Sequence, residues 1–292
     1  MKFSLATILA LALVLSAVAA WWFLGYEERT AAITVGVCVV GAATIFTLTP
    51  QIDWWWYTRY PPVLDANGTR LLATQMPYFQ ELAVTEKKRF ASRVAMVLMD
   101  KEFVPQGTPD DDELPEELKI MVAASIVQLT FGLKEYWLSD LEKIITYPRL
   151  FPSHERPLVF HAGEAHDDGC VILSIAALHK GFIAPAAHYH IGLHTAAEYW
   201  NISKKIPETD FIFEDKAVFI QKITELRLFI DNFWTAYTGL AEPLLFEQTV
   251  ECFFAKADNM KQTMPKTYAA IAAILNQDPT KLTYPIMDRS LI

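Results

Sequence analysis

The chain has 292 residues, 52% of them hydrophobic, and a net charge of −9, which gives room for one sizeable domain plus an excess of apolar sequence. An acidic chain of this kind does not suit direct nucleic-acid binding, because the phosphate backbone repels it. Three widely separated cysteines (Cys38, Cys170, Cys252) form no Cys-x-x-Cys pair, which argues against a disulfide framework and against a cysteine zinc site.

The apolar excess sits at the N-terminus. No charged residue occurs from Phe3 to Tyr26, or again from Thr30 to Ile52. Each run is long enough to cross a hydrocarbon core of about 30 Å as a helix. Only Glu27-Glu28-Arg29 separates them, so residues 1–60 are expected to form a transmembrane hairpin with 3–26 and 30–52 in the membrane. Trp21, Trp22 and Trp54-Trp55-Trp56-Tyr57 fit interfacial aromatic belts. Lys2, the first apolar run and Ala17-Val18-Ala19-Ala20 also have the features of a secretory signal peptide. The continuation through Trp21-Trp22-Phe23-Leu24 favours a retained helix. Lys2 and Arg59 flank the outer ends and the connecting loop is net acidic. Positive-inside therefore puts both ends in the cytoplasm, at an inner or plasma membrane, with 61–292 as a cytoplasmic domain. Lys2, Arg29 and Arg59 balance Glu27, Glu28 and Asp53, so that domain carries the whole net charge.

Pro61-Pro62 ends the membrane section. Thr85 is placed to cap a helix running to about Lys101, with Phe90, Val94, Val97 and Leu98 on one face. A loop over 106–117 follows, its run Asp110-Asp111-Asp112-Glu113 reading as solvated. Pro115 then starts a helix from Glu116 to about Thr130, apolar on most sides and hence a core helix. Ile144-Ile145-Thr146-Tyr147 and Val171-Ile172-Leu173-Ser174 are short β-type runs. Further helices are expected after Pro185, over Lys216 to Tyr237, over Leu244 to Ala255, and over Lys266 to Asn276 behind Pro265. Phe229, Phe233 and Trp234 have helical spacing and read as core. The pattern predicts an α+β, helix-dominated domain with a small sheet.

All seven histidines fall between positions 154 and 194. His190 and His194 are four apart, which on a helix puts both imidazoles on one face, close enough to grip one metal ion. His188 reads as a surface or packing residue. Zinc peptidases use this spacing as His-Glu-x-x-His, with the Glu as general base. Here that position is Ile191. No phosphate-cradling glycine loop, nucleophile elbow or dinucleotide fingerprint competes.

Several pieces recur in a recognisable order: Met99-Asp100-Lys101-Glu102-Phe103, Lys119 to Ala124, Ile145-Thr146-Tyr147-Pro148-Arg149-Leu150-Phe151, Gly163-Glu164-Ala165 and Gly169 to Ser174. After the histidine pair come Glu251-Cys252-Phe253-Phe254, Pro265-Lys266-Thr267-Tyr268 and Gln277-Asp278-Pro279. In this order the stretch from about Met76 to Pro279 resembles the Mlc titration factor A family of zinc-dependent peptidases. The resemblance implies a zinc-peptidase-like fold with His190 and His194 as ligands and Tyr237 as the active-site tyrosine. It puts the general base on Ile191 and the third ligand on Leu244, so two of the four metal-site roles fall on aliphatic side chains. Glu247, Glu242 and Glu198 are nearby carboxylates for a rebuilt third ligand. The family's namesake activity includes binding a sugar-responsive repressor, which implies a protein partner. Two functional expectations follow. One is a membrane-anchored pseudo-peptidase acting as a binding or scaffolding module, within a membrane complex. The other is a divergent zinc peptidase using His190, His194 and Glu247, with Tyr237 at the oxyanion. A primary role for the hairpin in membrane-protein transport or assembly has little support, since the two runs carry no ionisable residue within them.

Overall fold

A computed structural model describes residues 5–24, 29–107, 113–154, 157–227, 237–240 and 242–281. The chain divides into two compact units, Met1–Pro62 and Val63–Ile292. In the first, α1 (Leu5–Leu24) packs along α2 (Arg29–Thr47), and both touch α3 (Thr49–Arg59). The span Ala6–Phe23 is long and apolar enough to cross a membrane, whereas Ala32–Thr47 and Gln51–Arg59 meet that measure only as a pair bent by 67°. The single straight second run expected over 30–52 is therefore broken. Pro50 lies in the first turn of α3, at this break, and a proline has no N–H with which to continue a preceding helix. The Trp54–Tyr57 cluster rides on this separate short helix. Asp53, also on α3, accepts the Ala6 backbone N–H at 3.2 Å and so satisfies one of the donors left open at the start of α1.

The second unit is built around α7 (Glu116–Thr130), in which every residue from Ile120 to Thr130 is buried. A helix apolar on all sides must be covered on all sides. Here α4 (Ala66–Gln75), α6 (Val84–Asp100), α8 (Ile175–Ile183) and α9 (Ile191–Lys204) do so. The sheet comprises β1 (Glu102–Pro105), β2 (Lys143–Tyr147), β3 (Gly163–His166) and β4 (Cys170–Ser174), in the order β1-β2-β4-β3. β1, β2 and β4 run parallel, with Ile144 opposite Val171, and β3 is antiparallel with Gly163 opposite Leu173. Gly169 closes the β3–β4 hairpin at φ 86°, where a Cβ would lie 2.8 Å from the Asp140 carbonyl oxygen. α9 lies against β3 and β4 as well as α7. The remaining described α-helices are α5 (Pro77–Glu81), α10 (Lys216–Arg227), α11 (Leu245–Ala255), α12 (Ala257–Thr263) and α13 (Pro265–Leu275).

The helix-dominated fold with a small sheet is as the sequence suggests, with differences in detail. Ala83 rather than Thr85 is the N-cap of α6, and it makes no side-chain cap; Thr85 lies inside the first turn. β1 and β3 carry no alternating pattern and were not foreseen. At four residues each, they owe their conformation to the strand beside them. Asp110–Asp112, Phe229, Phe233 and Trp234 lie outside the described residues.

β3 also holds a buried charge cluster. Glu164 accepts from His161 Nε2 at 3.0 Å and lies 3.2 Å from His166 Nε2, while His161 Nδ1 faces the Val159 carbonyl oxygen at 3.1 Å. Burial alone would raise the Glu164 carboxyl, but hydrogen bonds from His161 and Ser153 and the His161 charge outweigh it and hold the carboxyl down at about 2. A depressed carboxyl contributes stability that is complete above the ordinary value near 4.5 and is lost as pH falls toward 2. Glu164→Gln is expected to lower the melting temperature at pH 7, with the gap to wild type closing between pH 5 and about pH 2. Melting curves across that range check it, and a gap independent of pH would refute the assignment.

Candidate functional site

The structure starts α9 one residue later than a His-Glu-x-x-His helix requires. His190 is the N-cap, at φ −88° and ψ 81°, and its Nδ1 accepts the Leu193 N–H at 3.3 Å. That bond leaves the ring proton on Nε2. Burial lowers the His190 imidazole to about 4, so it is neutral at physiological pH. His194 lies in the first turn and is fully buried, with Nδ1 sharing a 2.6 Å hydrogen bond with the Tyr189 hydroxyl. The Tyr237 ring meets Tyr189 edge-on at 5.4 Å, and the Tyr237 carbonyl oxygen accepts the Ala162 N–H at 2.8 Å.

The loop before α9 is held from outside. Arg227, at the end of α10, donates to the Pro185 carbonyl at 3.1 Å, the His188 carbonyl at 3.2 Å and Glu251 Oε1 at 2.9 Å. The same Glu251 oxygen accepts the His190 backbone N–H at 3.2 Å. Both members of the ion pair are buried. Burial pushes the Glu251 carboxyl up to about 7 against the pull of Arg227 and the His190 N–H. Gly181 lets this loop cross α8, since a Cβ there would lie 2.3 Å from the Tyr189 carbonyl oxygen.

The position of the general base is filled by packing. Ile191 is fully buried, and it lies so close to β3 that a Cβ on Gly163 would be 2.9 Å from its Cγ1. Glu247 is buried on α11, but its Oε1 accepts from Asn201 Nδ2 at 2.9 Å, near the far end of α9. Burial raises its carboxyl. Leu244 is the N-cap of α11, Glu242 is exposed and Glu198 is buried on α9. His188 is exposed, and Cys252 is a buried small core residue. Among the described residues, no three His, Cys, Asp or Glu side chains come together as a metal site. A catalytic zinc needs three protein ligands and an open position. His190, His194 and Glu247 do not supply that set, because one imidazole is a helix cap and the carboxylate is engaged elsewhere.

The sequence reading overlooked Arg227, Tyr189 and the role of Glu251, although a signal was present. Phe219, Ile223 and Arg227 recur at four-residue spacing, and all three are buried on α10. A guanidinium on an apolar stripe implies a buried carboxylate opposite. Arg227→Met leaves Glu251 buried without its partner and is expected to cost about 3–5 kcal/mol. The double variant Arg227→Met/Glu251→Leu is expected to recover a substantial part of that loss. Chemical unfolding of the three proteins decides it, and a double variant no more stable than the single one would count against the pairing.

Residues 54–198 match the family model described as glucose-regulated metallo-peptidase M90. No curated protein matches the chain. The matched stretch contains the sheet, α7 and the His190–His194 segment, while Tyr237, Leu244, Glu247 and Glu251 lie beyond it. Through residues 54–198 the chain belongs to the glucose-regulated metallopeptidases, the Mlc titration factor A family.

Proposed function

We propose that this chain is a membrane-anchored, non-hydrolytic member of its family, whose peptidase-like domain acts as a binding or scaffolding module for a protein partner in a membrane complex. The observation that carries the reading is Ile191, a fully buried aliphatic side chain where the family's motif places its base. Loss of a positioned general base costs about 10²–10⁴ in rate, and an isoleucine packed on β3 leaves no space for a substitute at that point. The engagement of Glu247 by Asn201 and of Glu251 by Arg227 adds support, since both buried carboxylates of α11 already serve other partners. The apolar span Ala6–Phe23, whose Trp22 and Phe23 side chains are more than four-fifths exposed, suits contact with lipid. The basic flanks Lys2 and Arg59 support, by the positive-inside preference, a cytoplasmic location for residues 61–292 at an inner or plasma membrane.

The test uses the full chain in detergent, beside His190→Ala/His194→Ala. Elemental analysis is expected to find zinc well below one per chain, and cleavage of fluorogenic peptides is expected to match that of the double variant. Stoichiometric zinc lost in the double variant, together with cleavage abolished by a chelator, would establish a working peptidase and end the proposal.

A further inference from the structure

A cavity of about 360 Å³ opens beside the start of α9. His190 and the fully buried Glu251 form part of its wall, Tyr78 and Phe254 supply aromatic surface, and the exposed carboxylates Glu81 and Asp258 also line it. Most of the remaining lining is alanine, proline and leucine. Among the described residues that line it there is no lysine or arginine. Lys256, which lies close enough to act on Glu251, lines a separate cavity with Lys222 and Glu225.

Glu251 gives the cavity its polarity. Its Oε1 takes both Arg227 and the His190 N–H, whereas Oε2 is buried with no hydrogen-bond partner among the described residues. Buried carboxylate oxygens are nearly always given donors, so this one calls for a donor from outside the chain. A concave wall bearing one sign of charge concentrates the opposite sign. Aromatic faces add attraction for a cation, and the volume suits a small organic molecule.

We propose that this cavity is a binding site for an alkylammonium group, a primary amine on a short apolar stem. The ammonium donates to Glu251 Oε2, and the stem lies against Tyr78 and Phe254, whose rings meet edge-to-face at 5.8 Å. Glu81 and Asp258 draw the cation in. The same chemistry arises in a free small amine and in a lysine side chain of a partner protein. The site goes beyond the pseudo-peptidase reading and stands whether or not the chain cleaves peptides.

The experiment is a titration of the full-length protein in a non-ionic detergent, followed by saturation-transfer NMR. The probes are n-butylammonium chloride, N-acetyl-lysine methylamide and the neutral isostere n-butanol. At least one ammonium probe is expected to saturate at about 1–10 mM, the range open to so few heavy atoms, with n-butanol at least tenfold weaker. Glu81→Gln/Asp258→Asn changes only exposed side chains and is expected to weaken the ammonium probes several-fold at low salt, with that difference shrinking as salt is added. Tighter binding of n-butylammonium assigns a free amine, and tighter binding of the lysine derivative assigns a partner's side chain. Absence of saturation, equal binding of n-butanol, or an affinity unchanged in the double variant would overturn the site.

Discussion

The buried ion pair between Arg227 and Glu251 is the constraint on which the site depends. Burying two charges costs several kcal/mol per ion before pairing, and their mutual attraction offsets this only if the remaining donors and acceptors find partners. Arg227 meets part of that condition by donating to the Pro185 and His188 carbonyls, and Glu251 meets part of it through the His190 N–H. These are backbone groups of the loop between α8 and α9, which no helix or strand ladder pairs. The pair therefore does more than join α10 to α11. It fixes the path by which the chain enters α9, and hence where both histidines sit. Its worth lies in position more than in net stability.

Much of the fold was legible because it is written in short-range patterns. The largely apolar sequence from Ile120 to Thr130 reads as a covered helix, and Ile144-Ile145-Thr146 and Val171-Ile172-Leu173 read as short strands, which the structure pairs side by side. β1 and β3 were not legible, since a four-residue strand takes its identity from the partner it pairs with. The second membrane run misled in a different way. Hydropathy reads Thr30 to Ile52 as continuous, but the backbone obeys Pro50. At the site, the spacing of His190 and His194 was read correctly while its geometry was not. A four-residue spacing puts two side chains on one face only when both residues are helical, and His190 is the cap.

Ile191 fills, as a packed side chain, the position where the family's motif carries its base. In a working motif the residue after the first histidine has to face a substrate and water, which leaves the adjacent helix face incompletely packed. Here that residue closes on Gly163 of the edge strand, with Thr195 Oγ1 equally near the same glycine. A carboxylate at this point would be buried against β3 at a desolvation cost, which a close-packed aliphatic side chain does not carry. The gain is rigidity at the start of α9, where His190 and Glu251 form both the clasp and one wall of the acidic cavity. A binding surface built on groups already immobilised by folding loses little further entropy when a ligand arrives. On the proposed reading, an isoleucine at the position of a hydrolase's base is compatible with a preorganised receptor.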